Sequence, residues 1–197
     1  ASPNLYRNFR QYTIKKMALV ALVLFISIIT SSAQKFSLST NILELINFGT
    51  LNIEAEYALS QKLSADFKFQ YNPWQFHTEK RGYFQNREQS YALGIKYWLW
   101  HINSGWFTGS NIQYSQYNRG GIIDSKTRQA DDFGLSLSAG YAYMLTSRLN
   151  LLIGCSGWGG YEQYTIFSAP KCGDIVEHSY TWFLRLNEIM LQLTYIF

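Results

Sequence analysis

From Lys35 onward, apolar residues recur at every second position in segments of about ten residues broken by turn-formers, and no 3.6-residue period is sustained. This pattern predicts eight strands, roughly 35–43, 50–59, 62–71, 90–100, 105–117, 132–145, 148–161 and 183–197. Their connections alternate in length. SQK (60–62), HINSG (101–105) and TSR (146–148) are short, whereas 44–49, 72–89, 118–131 and 162–182 are long. Short turns on one rim, long loops on the other and an even strand number describe an antiparallel up-and-down transmembrane β-barrel of the outer-membrane type.

One parity is apolar throughout: Leu63, Ala65, Phe67, Phe69 and Tyr71; Tyr91, Leu93, Ile95, Tyr97 and Leu99; Phe133, Leu135, Leu137, Ala139, Tyr141 and Tyr143; Leu149, Leu151, Ile153 and Tyr161. In an up-and-down arrangement Tyr57, Tyr97, Trp106, Tyr143, Tyr195 and Phe197 fall near the short-turn rim. Phe69, Tyr71, Tyr91, Tyr114, Phe133, Tyr161 and Phe183 fall near the long-loop rim, with aliphatic residues between. Two aromatic belts around an aliphatic band are expected where rings sit at both headgroup levels of a bilayer.

The opposite parity is polar or small, and it carries Glu54, Glu56, Asp66, Lys68, Lys96 and Glu188. A lysine facing lipid at the midplane costs about 2–4 kcal/mol, so these residues are assigned to the interior, where Glu54, Glu56, Asp66, Lys68 and Lys96 can pair across it. Eight strands enclose a space that side chains just fill, and a closed polar plug is expected rather than a pore. The final stretch, with Ile189, Leu191, Leu193, Tyr195 and Phe197 on one parity, reads as the signal recognised by the barrel-insertion machinery. As the last strand it pairs with the first and removes an edge that lipid could not hydrogen-bond.

The first 33 residues change the charge picture. RQYTIKK is basic, MALVALVLFISIIT is apolar but too short to span a bilayer, and SSA supplies small residues for cleavage. Residues 1–33 are therefore predicted to be a signal peptide, with 34–197 as the mature outer-membrane domain. Arg7, Arg10, Lys15 and Lys16 lie in or before this leader. Taking these four from the seventeen basic residues leaves thirteen, against thirteen acidic ones. The net charge of +4 thus belongs to the leader and points to no nucleic-acid partner.

Several stretches resemble a family of small outer-membrane barrels from the Bacteroidetes, domain-of-unknown-function family 3575. These are YNPW (71–74), KYW (96–98), GWFTG (105–109), YNRGG (117–121), GYAYMLTSRLNLLIG (140–154) and KCG (171–173), in that order along nearly all of the mature chain. The resemblance implies an exported barrel, sometimes encoded near fimbrial or surface-glycan genes, and implies no activity. It also implies paired cysteines close together in the last outer loop, where this chain has only Cys172. Cys155 shares the parity of Leu151 and Ile153 and is expected to face lipid.

Catalytic candidates are His77, His178, Asp124, Asp131, Asp132, Asp174 and Glu177, all in predicted outer loops with no fixed base–nucleophile pair. The three histidines, with His101 in a short turn, show no metal-ligand spacing, and no cofactor is expected. Lys80, Arg81, Arg119 and Arg185 are the cations best placed to meet lipopolysaccharide phosphates or a surface partner, including a fimbrial one. The expected function is a non-enzymatic structural, adhesion or surface-assembly role in the outer membrane. The alternatives are an outer-rim enzyme acting on lipid or peptide and a secreted lipocalin-like carrier with apolar residues inward.

Overall fold

A computed structural model describes residues 35–47, 49–78, 82–120, 126–169 and 173–197. The leader, Lys80, Arg81, Asp124 and Cys172 lie outside the described residues. Among these residues nine strands form one antiparallel sheet: β1 (Phe36–Asn41), β2 (Leu51–Ala58), β3 (Leu63–Asn72), β4 (Gln75–Thr78), β5 (Gly82–Trp98), β6 (Gly105–Gly120), β7 (Thr127–Met144), β8 (Leu149–Phe167) and β9 (Ile175–Ile196). A five-residue helix, α1 (Ile42–Ile46), follows β1. No described helix is long and apolar enough to cross a membrane, which says nothing of strands.

The hydrogen bonding is ring-like. β9 pairs with β1, each strand pairs with its neighbour, and β3 pairs with β5, while β4 lies outside the ring on the upper part of β5. The ninth strand is therefore a short hairpin arm within the predicted 72–89 loop. Extending the registers of neighbouring strands from Asn41 leads to Ser90 in one direction round the ring and to Trp100 in the other, a stagger of ten residues. With ordinary strand rise and spacing, that stagger tilts the strands by about 40°.

β5 to β9 are longer than the periodicity predicted, whereas β1 and β2 are shorter. Much of the predicted 118–131 and 162–182 loops is hairpin, because polar and aromatic residues there continue the ladder: Arg119 is registered with Arg128, and Gln163 with Tyr180. Two of the three short turns share one device. Ser60 Oγ and Thr146 Oγ1 each accept the N–H of the residue three positions on, at 3.1 Å.

Side chains of the apolar parity face outward and are exposed, as at Leu93, Ile95, Ile112, Leu135, Leu137 and Ile153. Cys155 shares that face with a free thiol. The predicted parity fails in one place. A register shift between Ser156 and Gly157 leaves Asn187 without a registered partner, since Glu188 pairs with Ser156 and Leu186 with Gly157. Such a bulge inverts the faces of everything before it in β9. Trp182, Leu184 and Leu186 therefore point outward, while Phe183, expected in the outer belt, turns in against Trp158 at 4.9 Å.

Candidate functional site

The interior is built from the inward parity of β2, β3, β5 and β9 together with α1. Lys96 reaches across β3 to form ion pairs with Glu54 and with Glu56, the latter at 3.4 Å. Gln192 Nε2 donates to the other oxygen of Glu54 at 3.1 Å. Lys68 pairs with Glu188 and, at 3.2 Å, with Glu44 of α1. Asp66 accepts from Asn111 Nδ2. Five of the six residues assigned to the interior are thus joined in two ion-paired clusters, and Asp66 is buried beside them on Asn111. Their neutral partners Asn41, Asn111 and Gln192 were not singled out, because an amide on the inward parity carries no distinguishing signal.

Toward the short-turn end an apolar cluster stands among buried polar side chains such as Ser39, Asn150 and Thr194. Trp98, Phe107, Ala142, Leu152 and Met190 form a buried cluster with Ile102 packed on it. Trp98 is fully buried, 5.0 Å from Phe107 between ring centroids, and its Nε1–H points at Glu56 Oε1 (3.1 Å) and Ser64 Oγ (3.0 Å). Gly140 makes room for the Phe107 ring, since a Cβ there would stand 2.9 Å from two ring carbons. The sequence does hold the signal, because Trp98, Phe107, Leu152 and Met190 interrupt an otherwise polar parity. A cavity among the charged and polar side chains, bounded by Glu54, Asp66, Lys68, Lys96 and Glu188, is about 20 Å³, about the room for one water molecule.

A third cluster lies just beyond the outer aromatic level. Asp132 and Glu162, registered opposite each other, are both buried. Arg185 pairs with Asp132 and lies over Trp158 and Phe183, 4.8 and 4.4 Å from their ring centroids. Arg128 closes on Glu162 at 2.7 Å, and Tyr117 donates its hydroxyl to Glu162 at 2.5 Å. Arg185, expected as a surface cation, is therefore turned inward by the bulge. Arg119 stays at the exposed rim, paired with Glu88.

Burial, opposed by Arg185 and aided by Glu162, raises the Asp132 carboxyl from its ordinary 3.8 to about 6. Between those values the folded protein holds a proton that the unfolded chain has released, so a rise in pH through the window destabilises the fold. Asp132→Asn removes this dependence. The wild-type urea midpoint should fall relative to the variant from about pH 4 to about pH 6 and run parallel above it. Parallel curves throughout would contradict the assignment.

The catalytic candidates do not converge. His178 Nδ1 lies 2.9 Å from Thr165 Oγ1 on the exposed outer hairpin. Asp131 accepts from Tyr114 and Gln116 on the outer face, away from the interior. Glu177 accepts from Tyr164 at 2.6 Å, Asp174 is exposed, and His77 lies on β4. Among the described residues no group of three His, Cys, Asp or Glu could hold a metal ion.

An all-β antiparallel sheet with ring-like closure, apolar side chains outside and ion pairs within is the class that these features define. Within it the chain belongs to the family described as "Protein of unknown function (DUF3575)", which it matches over residues 19–197. Among curated proteins, none matches the chain.

Proposed function

We propose that this protein is an eight-stranded transmembrane β-barrel of the outer membrane with a closed interior and no enzymatic activity, acting as a structural, adhesion or surface-assembly component. The observation that carries the reading is the inverted burial. Leu93 and Leu137 are 64% and 67% exposed, while Lys96 and Glu56 are 4% and 3% exposed. Water would favour the reverse, whereas acyl chains favour this arrangement. A lipocalin-like carrier needs apolar residues inside, and the charged interior argues against it.

The outward aromatic pairs support the same reading. Tyr195 and Phe197 meet at 5.0 Å near the short turns, and Tyr161 and Trp182 at 5.6 Å near the other rim. A transmembrane strand needs about 9–11 residues. β5 to β9 have 16 to 22 residues, so their outer halves project beyond the bilayer as an open sheet bearing exposed Ile175, Val176 and Tyr180. A projecting sheet of this kind suits attachment to a surface partner better than catalysis. Its companions are then outer-membrane lipid, lipopolysaccharide at the Arg119 rim, and the barrel-insertion machinery.

Extraction of cell envelopes tests the reading. The protein should need detergent to leave the membrane, and on gels the unboiled sample should run apart from the boiled one. Release by salt or alkali, with identical mobility before and after boiling, would overturn it.

A further inference from the structure

β1 is too short for its place in the wall. Its six residues, tilted by about 40°, rise about 15 Å, against an apolar band about 25 Å tall. β1 ends at Asn41, opposite Gln192, and among the described residues β9 has no strand partner on that side above this point. Asn41 finishes the ladder with its side chain, accepting the Leu191 N–H at 3.2 Å and donating to the Ile189 carbonyl at 3.0 Å. Above it the wall has a notch.

The chain folds α1 beside the notch rather than extending β1. So short a helix depends on its flanks for backbone partners: Asn41 Oδ1 accepts the Leu43 N–H, and the Leu43, Glu44 and Leu45 carbonyls accept from Asn47, Thr50 and Gly49. Ile46 of α1 is 74% exposed, while Glu44 turns inward to Lys68. On the other side Leu184 is 87% exposed, more than any leucine of the continuous wall. Beside them lies a cleft of about 320 Å³, lined by apolar Leu43, Leu186 and Ile189 and by polar Gln70 and Asn187, with Glu44, Glu188 and the rim pair Glu88–Arg119 among its other walls.

We propose that this notch is a lateral binding site for the acyl chain of a bilayer lipid, which enters between β9 and α1 with its polar head toward the mouth of the barrel. The inference rests on the transmembrane reading above. The cleft joins lipid-facing apolar residues to interior polar ones within a few residues, and an amphipathic molecule matches both. A second copy pairing antiparallel along the β9 edge is a poorer occupant, because it would stand inverted in the same membrane.

The test places single cysteines, in a background with Cys155 and Cys172 changed to serine, at Gln70 in the cleft, at Ser136 deep in the interior and at Leu137 on the outer wall. Each is labelled with bimane and reconstituted into phosphatidylcholine vesicles with brominated acyl chains. Quenching at Gln70 should exceed that at Ser136 severalfold and approach that at Leu137. Changing Leu43 and Leu186 together to Asn should bring Gln70 down to the Ser136 level without altering Leu137.

If Gln70 is no more quenched than Ser136 while Leu137 is quenched, or if the Asn pair changes nothing, the portal is wrong and the barrel stands. If Leu137 itself is unquenched, the transmembrane reading fails. Adding unbrominated lipid A separates the sources of the chain. Relief of quenching at Gln70 assigns the site to lipid A, and persistence assigns it to glycerophospholipid.

Discussion

Lys96→Met should be among the most damaging single substitutions in the protein. Lys96 is the cation that Glu54 and Glu56 share, and both carboxylates are buried. The other interior lysine, Lys68, is already held by Glu44 and Glu188. Removing one partner of a buried ion pair leaves uncompensated charge, at a cost of about 3–5 kcal/mol. Deleting an exposed pair, as in Arg119→Ala, costs about 1 kcal/mol or less. Urea unfolding in detergent micelles, followed by tryptophan fluorescence, should therefore separate the two variants clearly.

The combination K96M/E54Q/E56Q should recover most of the loss, since a neutral, well-packed replacement for a buried ion pair is often close to neutral in stability. If K96M does not fold, its missing heat-shifted gel band should return in the triple variant. A K96M midpoint equal to that of wild type would mean that water reaches Glu54 and Glu56, and the closed interior would have to be abandoned.

The alternation that predicted the ring is legible because a strand has a period of two, and one face meets a uniform environment over its whole length. Glu54 and Lys96 were therefore placed inward by parity alone, and Leu93 and Leu137 outward. The bulge at Asn187 was not legible. It needs only one extra residue, and FLRLNE alternates acceptably in either phase, so Phe183 and Arg185 were assigned to the wrong face. The short β1 was hidden for a related reason. ILELI continues the apolar run beyond Asn41, and only the three-dimensional requirement that its backbone be satisfied turns it into a helix. The outer hairpins were read as loops because there, on the transmembrane reading proposed above, both faces of the sheet meet water, and the two-residue contrast that marks a strand fades.

The charged residues assigned to the interior lie beside a buried apolar cluster, and on the closed-barrel reading proposed above this cluster is the seal, with a measurable effect. Trp98→Ala should remove about 3–5 kcal/mol of stability, the usual range for emptying a buried aromatic site. It should also turn a silent barrel into one with conductance steps in planar bilayers. Trp98 is the largest fully buried side chain, and its loss would empty the centre of the cluster formed with Phe107, Ala142, Leu152 and Met190.

Trp98→Phe separates the two roles of the ring. A benzyl group keeps most of the packing against Phe107 but removes the N–H offered to Glu56 and Ser64. An acceptor left without its donor costs about 1–3 kcal/mol, so this variant should be destabilised yet stay non-conducting. Leu137→Ala, on the outer wall, should do neither beyond a small loss. Conductance in the wild type, or its absence in a folded Trp98→Ala barrel, would show that this cluster is not the seal.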